Sequence, residues 1–168
     1  MKISKILFIL LFFISLASFG QEDKYKAVFM YNFTKHFEWP VSYRTGNFVI
    51  GILGNPIIIG ELEAVTAGKK AGNQPIVIEK YKDASEIGKC HILFLPSNKS
   101  KEIQLVTEKI GTNPILLVTE KDGLAQEGAA INFIIQEGKI KFELNKNVVN
   151  KQGLKISSYL ETLAIVVN

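Results

Sequence analysis

Cysteine and histidine have the most versatile chemistry of any residues in this chain, and both are scarce. The 168 residues include one cysteine, Cys90, and two histidines, His36 and His91. A zinc site needs three or four such ligands within reach of one ion. Cys90 and His91 are adjacent, and neighbouring side chains on a strand point to opposite faces. The sequence therefore predicts no metal site and no cofactor.

A hydrolase with a Ser or Cys nucleophile places that residue beside a base, and no local signature for such a nucleophile is present. The chain has no G-x-S-x-G turn, although a triad can assemble from residues distant in sequence. The carboxylates Glu137, Glu143 and Glu161 are scattered, with no pair spaced for acid–base work. We predict no catalytic residues and no enzymatic activity. A hydrolase is the alternative, which requires a Ser or Cys beside one of the two histidines in the fold.

The glycine-bounded segment 51–60 is the best candidate for a ligand loop. Gly54-Asn55-Pro56 ends an apolar run and opens a helical pattern, and free N–H groups at a helix start can bind anions. The segment lacks G-x-G-x-x-G spacing and a Walker lysine. The missing fingerprint favours a tight turn, and a small anionic ligand near Asn55 is the alternative.

Aromatic residues are concentrated between residues 25 and 39. The rings of one stripe recur every fourth residue, beside Val28, at Tyr25, Phe29, Phe33 and Phe37. This period predicts a helix over residues 24–37 whose stripe packs in the core. Trp39 follows, before the helix-ending Pro40. Because aromatic side chains also anchor interfaces, partner binding is a second interpretation of this segment.

The first 20 residues have the three parts of a secretory signal peptide. Lys2 and Lys5 give the first residues a positive charge, residues 6–16 are almost wholly apolar, and small residues precede a cleavage point at Gln21. The apolar run is shorter than the roughly 20 residues of a membrane-spanning helix. We predict a cleaved signal peptide over 1–20 and one periplasmic domain over 21–168, with no membrane insertion after cleavage.

Charge and cysteine content narrow the classes of partner. Two of the 20 Lys and Arg residues lie in the first 20 residues, which leaves 18 against 16 Asp and Glu. The lysines form no basic stripe, so we predict no nucleic-acid binding.

A lone cysteine cannot form an internal disulfide. Cys90 leads into an apolar run, which predicts a buried thiol, and an intermolecular disulfide is the alternative.

The remaining elements follow from hydrophobic period and from turn residues. Apolar runs predict strands at 48–53, 75–80, 91–95 and 114–119. Helical spacing predicts helices at 56–67, 99–110 and 156–166, the last through Leu160, Leu163 and Ala164. Residues 130–136 and 139–144 predict a hairpin across Glu137-Gly138.

This order of elements predicts an α/β fold. Three of the strands lack polar alternation, which is typical of parallel strands buried on both faces. We therefore predict a three-layer sandwich with a mostly parallel central sheet, helices on both faces and an antiparallel C-terminal hairpin at one side.

Six blocks of the sequence follow the order of a known family. They are residues 31–40 (YNFTKHFEWP), 48–54, 88–94 (GKCHILF), 119–123 with 128–133, 141–145 (KFELN) and 153–158 (GLKISS). They resemble the YNF-x-K-x-x-x-WP opening, the G-x-C-H-x-L-F block and the later blocks of the YfiR (HmsC-like) periplasmic regulators. The resemblance spans nearly all of the predicted mature chain.

The resemblance implies a function without catalysis. The best understood members hold down an inner-membrane diguanylate cyclase by contacting its periplasmic sensor domain, which limits cyclic di-GMP and biofilm. The resemblance is also consistent with a homodimer. A small-ligand-binding module that feeds another membrane sensor, such as a histidine kinase, is the alternative. Many members carry further cysteines that can pair, and Cys90 alone excludes such an internal switch here.

Seven residues are our candidates for binding a partner or a ligand. They are Tyr31, Asn32, Lys35 and Trp39 from the opening block, Asn55 from the glycine-bounded loop, and Glu143 and Asn145 from the hairpin. From the sequence, core packing explains these polar and amphipathic residues least well, and helix capping is the alternative for Asn145.

Overall fold

The computed structural model describes residues 21–167, so the predicted signal peptide lies outside the described part of the chain. The helices are α1 (21–36), α2 (Ile58–Thr66), α3 (Ile103–Ile110), α4 (Lys146–Lys151) and α5 (Ser158–Leu163). The strands are β1 (Phe37–Glu38), β2 (Phe48–Leu53), β3 (Lys70–Ala71), β4 (Gln74–Tyr81), β5 (Ile92–Leu95), β6 (Leu116–Thr119), β7 (Ile131–Gln136), β8 (Lys139–Asn145), β9 (Lys155–Ile156) and β10 (Ile165–Val167). Short 3-10 turns cover Val41–Tyr43, Ala84–Glu86 and Ser97–Glu102.

The strands form one large mixed sheet and one small sheet. The large sheet has the order β10-β8-β7-β6-β5-β2-β4-β3, and β1 pairs with β9 separately. Pairing is parallel from β4 through β2, β5 and β6 to β7, and antiparallel within the β7–β8 hairpin. The predicted α/β fold with a mostly parallel sheet and a C-terminal hairpin is confirmed.

Helices cover the sheet on both faces, with a separate core on each. On one face, α1 and α2 pack Met30, Phe33 and Leu62 against residues such as Ile50 and Phe142. On the other, α3 supplies its regularly spaced apolar residues Ile103, Val106 and Ile110. The three-residue and four-residue spacing of that stripe puts all three side chains on the helix face that meets the sheet.

The β7–β8 hairpin turns as its sequence predicts. Gln136 pairs with Lys139 across Glu137 and Gly138, whose φ angles are +54° and +70°. Two consecutive positive φ angles are typical of the type I′ turn, whose twist suits two-residue hairpins. Glycine at the second position adopts this conformation without steric cost.

The predicted closing helix over 156–166 is wrong at both ends. Ile156 lies in β9, α5 stops at Leu163, and residues 165–167 form β10, which pairs parallel with β8. Ala164 is already extended, at φ −87° and ψ 151°. The β-branched run Ile165-Val166-Val167 favours a strand, and the free edge of β8 satisfies its backbone hydrogen bonds.

The aromatic stripe of α1 is only partly in the core. Phe33 and Phe37 are buried, whereas Tyr25 and Val28 are 50% and 39% exposed. Phe37 belongs to β1 and not to the helix. Leu163, predicted to face the core from the closing helix, is also exposed. A four-residue repeat drifts around a helix of 3.6 residues per turn, so its outer members leave the buried face.

Candidate functional site

A half-buried tyrosine of α1, Tyr31, lies between two exposed lysines. The Nζ atoms of Lys35 and Lys69 each lie 4.3 Å from the centroid of the Tyr31 ring. Lys35 is one helical turn beyond Tyr31, and Lys69 comes from the loop between α2 and β3. We call Tyr31, Lys35 and Lys69 the Tyr31 surface. Each cation–π contact contributes about 0.5–1 kcal/mol at an exposed site.

The two ammonium groups of the Tyr31 surface carry uncompensated charge. Within residues 21–167, neither Lys35 nor Lys69 forms an ion pair with a carboxylate. Asn32, the neighbouring candidate on α1, is half-buried. This surface is therefore cationic and aromatic, and it suits an acidic group on a partner.

Trp39 lies in the core beneath the same segment. The side chain is 5% exposed, and its Nε1–H donates to the backbone carbonyl of His91 at 3.2 Å. Its ring meets the Phe48 ring edge-on at a centroid distance of 4.9 Å. The expectation that packing explains Trp39 poorly is wrong, although partner binding by this segment stays a prediction.

His91 is held as a neutral ring in this aromatic core. Its Nδ1 accepts the Val49 backbone N–H at 3.1 Å, so Nε2 carries the proton and donates to the Tyr43 carbonyl at 2.7 Å. The ring stacks on Phe48 at 4.3 Å. Burial lowers the pKa of His91, as does nearby Lys89, against the opposing hydrogen bond to Tyr43. Both ring nitrogens are thus used structurally.

Cys90 points into the opposite core, as the buried-thiol prediction requires. The residue is 0% exposed, and burial raises the pKa of its thiol to about 12. A thiol with so high a pKa is a poor nucleophile. Among the described residues, no cluster of His, Cys, Asp and Glu has the arrangement to hold a metal ion.

The hydrolase alternative requires a Ser or Cys beside a histidine, and His36 has such a neighbour in Ser157. Its Nδ1 lies 3.0 Å from Ser157 Oγ. The same Oγ accepts the Leu160 N–H at 3.3 Å as the N-cap of α5, and the Ser157 N–H donates to the His36 carbonyl. In residues 21–167 no carboxylate hydrogen-bonds His36 to orient it. The pair therefore joins the end of α1 to the start of α5 and lacks the third member of a triad.

Asn55 lies at the carboxyl end of β2, where the chain changes direction across the sheet. From β2 the chain proceeds to β4 on one side and then to β5 on the other. Ligands of open α/β sheets bind at such a switch point. Asn55 is exposed there, and the stem of Lys99 lies close to Gly54. The predicted tight turn is present, since Gly54 has a φ of +76° and its N–H donates to the Tyr81 carbonyl at 2.7 Å.

A second polar cluster at this edge was not expected from the sequence. Lys26 Nζ lies 2.7 Å from Glu120 Oε2, and the Ser97 backbone N–H donates to Glu120 Oε1 at 2.9 Å. Burial raises the pKa of nearby Asp23. These residues line a groove of about 470 Å³. The sequence could have indicated this cluster only in part, because Ser97 and Glu120 each follow a predicted strand. The contact of Glu120 with Lys26 of α1 depends on tertiary packing.

The two hairpin candidates lie away from the Tyr31 surface. Phe142 faces α1, with its ring 5.5 Å from that of Phe33, so Glu143 and Asn145 point to the opposite face of the sheet. Glu143 accepts a hydrogen bond from Asn132 Nδ2 at 2.8 Å. The seven candidates therefore do not form one site.

Asn145 has a structural role that the sequence reasoning underestimated. It is 6% exposed, its Oδ1 accepts the Val148 N–H at 3.1 Å, and its Nδ2 donates to the Ala125 carbonyl at 2.8 Å. Asn145 thus caps α4 and ties it to the loop after β6. Packing and capping account for this residue, and a contact with a partner stays a prediction.

Comparison with known proteins identifies the relatives of this fold. The YfiR/HmsC-like family profile matches residues 23–165. A comparison with curated proteins finds no match. A search for helices able to cross a bilayer finds none among the described residues.

Two solved structures share the architecture. A conserved domain protein from Vibrio cholerae O1 biovar eltor is 12% identical, with a TM-score of 0.55 over 72% of this chain and 55% of that chain. The ABC domain from Streptococcus pneumonia, solved in complex with L-Trp, is 13% identical, with a TM-score of 0.53 over 71% of this chain and 55% of that chain. The chain spans about half the length of each, and the likeness shows the fold alone.

Proposed function

Because this chain belongs to the YfiR/HmsC-like family, we propose that it is a repressor that holds a membrane-bound diguanylate cyclase inactive by direct contact. The family comprises periplasmic regulators of cyclic di-GMP signalling. Its profile covers residues 23–165, nearly everything after the predicted signal peptide, and that coverage carries the proposal. The predicted signal peptide supports delivery to the periplasm.

Repression by contact requires a difference in affinity. A bound protein shifts the equilibrium of its partner only by binding the inactive state more tightly than the active one. A difference of about 3 kcal/mol changes that equilibrium by more than a hundredfold. One well-placed surface of modest size can supply this difference.

The Tyr31 surface is our proposed contact. The Tyr31 ring brings two cations together, and neither has a carboxylate partner within residues 21–167. Tyrosine is enriched among the residues that dominate binding energy. An acidic patch on the periplasmic domain of the cyclase would complement this charge and increase the association rate.

Charge reversal tests the contact in cells. A deletion strain is complemented with the wild type, with Lys35→Glu/Lys69→Glu, or with Lys101→Glu/Lys109→Glu as control. The control lysines are exposed and belong to the segment that covers the other face of the sheet. We expect deletion and Lys35→Glu/Lys69→Glu to raise cyclic di-GMP and biofilm equally, and the control to restore repression.

The outcomes separate the partner from the surface. Unchanged cyclic di-GMP and biofilm after deletion would overturn the cyclase as the partner. Full repression by Lys35→Glu/Lys69→Glu would overturn only the Tyr31 surface. Circular dichroism of the purified variants checks that each is folded.

A second candidate function is a small-ligand-binding module that feeds another sensor, such as a histidine kinase. The position of Asn55 at the switch point favours it. Calorimetry with phosphate, small carboxylates and L-Trp, on the wild type and Asn55→Ala, tests this function. Binding that Asn55→Ala weakens tenfold or more supports it, and the absence of heat with all probes counts against it.

A further inference from the structure

We propose that Gln21 cyclises to pyroglutamate once it becomes the N-terminal residue of the mature protein. The inference rests on the export that the proposed function includes, and it adds a covalent modification that repression itself does not require. Cleavage after the small residues Ser18 and Gly20 leaves Gln21 with a free α-amine. Glutamine carries a carboxamide at the right distance from that amine to close a five-membered lactam.

The reaction balances without a co-reactant. The α-amine nitrogen attacks Cδ of the Gln21 side chain and forms a new C–N bond. The bond from Cδ to the side-chain nitrogen breaks, and that nitrogen leaves as ammonia after taking a proton from the attacking amine. The pKa of an α-amine is about 8, so part of it is neutral and nucleophilic at physiological pH. The product has one positive charge fewer.

The surroundings of Gln21 leave the reaction unobstructed. Gln21 is exposed and borders an open groove formed with Tyr25 and Gly138. Its side chain makes one exposed hydrogen bond, from Nε2 to the Tyr25 hydroxyl at 3.2 Å. Closing the lactam therefore breaks one solvent-exposed contact and disturbs no buried side chain.

The position of Gln21 in α1 also favours the cyclic product. Residues 21–36 are helical, so cleavage makes Gln21 the first residue of the helix. The first N–H groups of a helix have no acceptor within it, and the lactam therefore sacrifices no helical hydrogen bond. Its ring resembles that of proline, which helices favour at their first position.

Helix electrostatics act in the same direction. The N-terminus of a helix carries a partial positive charge, so an α-ammonium group there is unfavourable. Cyclisation removes this cation and leaves Glu22 and Asp23 in the first turn, where negative charge is stabilising. The lactam also removes the primary amine that aminopeptidases require.

Mass spectrometry of the N-terminal peptide tests the proposal. The full chain is expressed with its own N-terminal segment and recovered from the envelope fraction of the cells. Primary amines are labelled before digestion, so that cyclisation during analysis cannot be mistaken for the native state. We expect an unlabelled peptide that begins at Gln21 and is lighter than the unmodified peptide by one ammonia. Gln21→Ser serves as the control and should carry the label.

Each outcome decides a different question. A labelled peptide of unmodified mass that begins at Gln21 overturns the modification and leaves export intact. A peptide that begins at Met1 overturns both the modification and the export on which the proposed function rests. A start at any other residue overturns the modification alone, because Gln21 is then internal or absent.

Discussion

The two faces of the central sheet are packed with different kinds of side chain. Towards α1 the core is aromatic, and the Phe33 ring contacts those of Phe37, Phe133 and Phe142 at centroid distances of 5.5–6.1 Å. Towards α3 the core is mainly aliphatic, and Val106 is fully buried in it. Aromatic pairs depend on relative orientation, whereas aliphatic contacts depend mainly on volume. The aromatic face therefore positions α1, and with it the Tyr31 surface, more strictly than the other face positions α3.

The largest expected effect tests this difference directly. Phe33→Ala should lower the free energy of unfolding by about 4 kcal/mol, because it removes a fully buried ring and leaves a cavity. Val106→Ala, also fully buried, should cost about 2 kcal/mol. Urea denaturation measures both. Equal losses would show that the aromatic face is no more sensitive than the aliphatic one.

A glycine in β2 reveals how closely the aliphatic face is packed. A Cβ on Gly51 would lie 2.5 Å from Tyr81 Cε2 and 3.2 Å from Leu93 Cδ1. We expect Gly51→Ala to destabilise the protein by about 1–3 kcal/mol through overpacking.

Gly60→Ala is the matched control for Gly51→Ala. Gly60 lies in α2 with nothing within 4 Å of an added Cβ, so alanine there should stabilise by roughly 0.5–1 kcal/mol. Thermal unfolding of both variants gives the two signs. A neutral Gly51→Ala would show that the aliphatic face tolerates extra volume.

A smaller effect on stability is expected at Asn145, the N-cap of α4, whose side chain points to the sheet face opposite α1. Asn145→Ala should cost about 1 kcal/mol, because the Val148 N–H loses its acceptor. Asn147→Ala, at an exposed position of α4, should change stability by under about 0.5 kcal/mol. Denaturation curves compare the two. If Asn145→Ala instead abolished repression at unchanged stability, Asn145 would be a partner contact.

The pH dependence of stability reports on the aromatic face through His91. Burial lowers the pKa of His91 from its ordinary value of 6.5, so the unfolded chain binds the proton more readily than the folded protein. Stability should be unaffected by this group well above pH 6.5 and should fall as the pH drops from 6.5 through the lowered pKa.

The change is modest because only one group contributes. In His91→Asn the fall in unfolding free energy between pH 7 and pH 5 should be smaller than in the wild type. His36 is present in both proteins, so the difference isolates His91. Parallel pH profiles would contradict the neutral ring assigned to His91.

Much of the architecture could be predicted because local signals agreed with the tertiary outcome. The strand expected at 48–53 is β2, Phe48–Leu53, since an apolar run between two glycine turns suits a buried strand and little else. The hairpin at Glu137-Gly138 is confirmed for a similar reason. The prediction for the terminal segment was wrong because the apolar residues of a short helix and of the β-branched strand after it together have the spacing of one amphipathic helix.

The functional residues were harder to predict than the fold, because the type of a residue does not reveal whether its side chain is exposed in the folded protein. Trp39 and Asn145 are polar or amphipathic and were chosen as candidate contact residues, yet both are buried with their hydrogen bonds satisfied inside the protein. Lys69 joins the candidate surface although it is 34 positions from Lys35 in the printed sequence. No periodicity connects residues on different elements.

The sequence by itself determined the alternation of strands and helices, the scarcity of catalytic groups and the family blocks, because each is a property of neighbouring residues. Only the tertiary structure decided that Lys69 meets Tyr31, that Glu143 faces away from α1 and that β10 extends the sheet. Those outcomes depend on which strand edges pair and which helix faces meet. Such contacts form between segments far apart in the chain, where local preference carries no information.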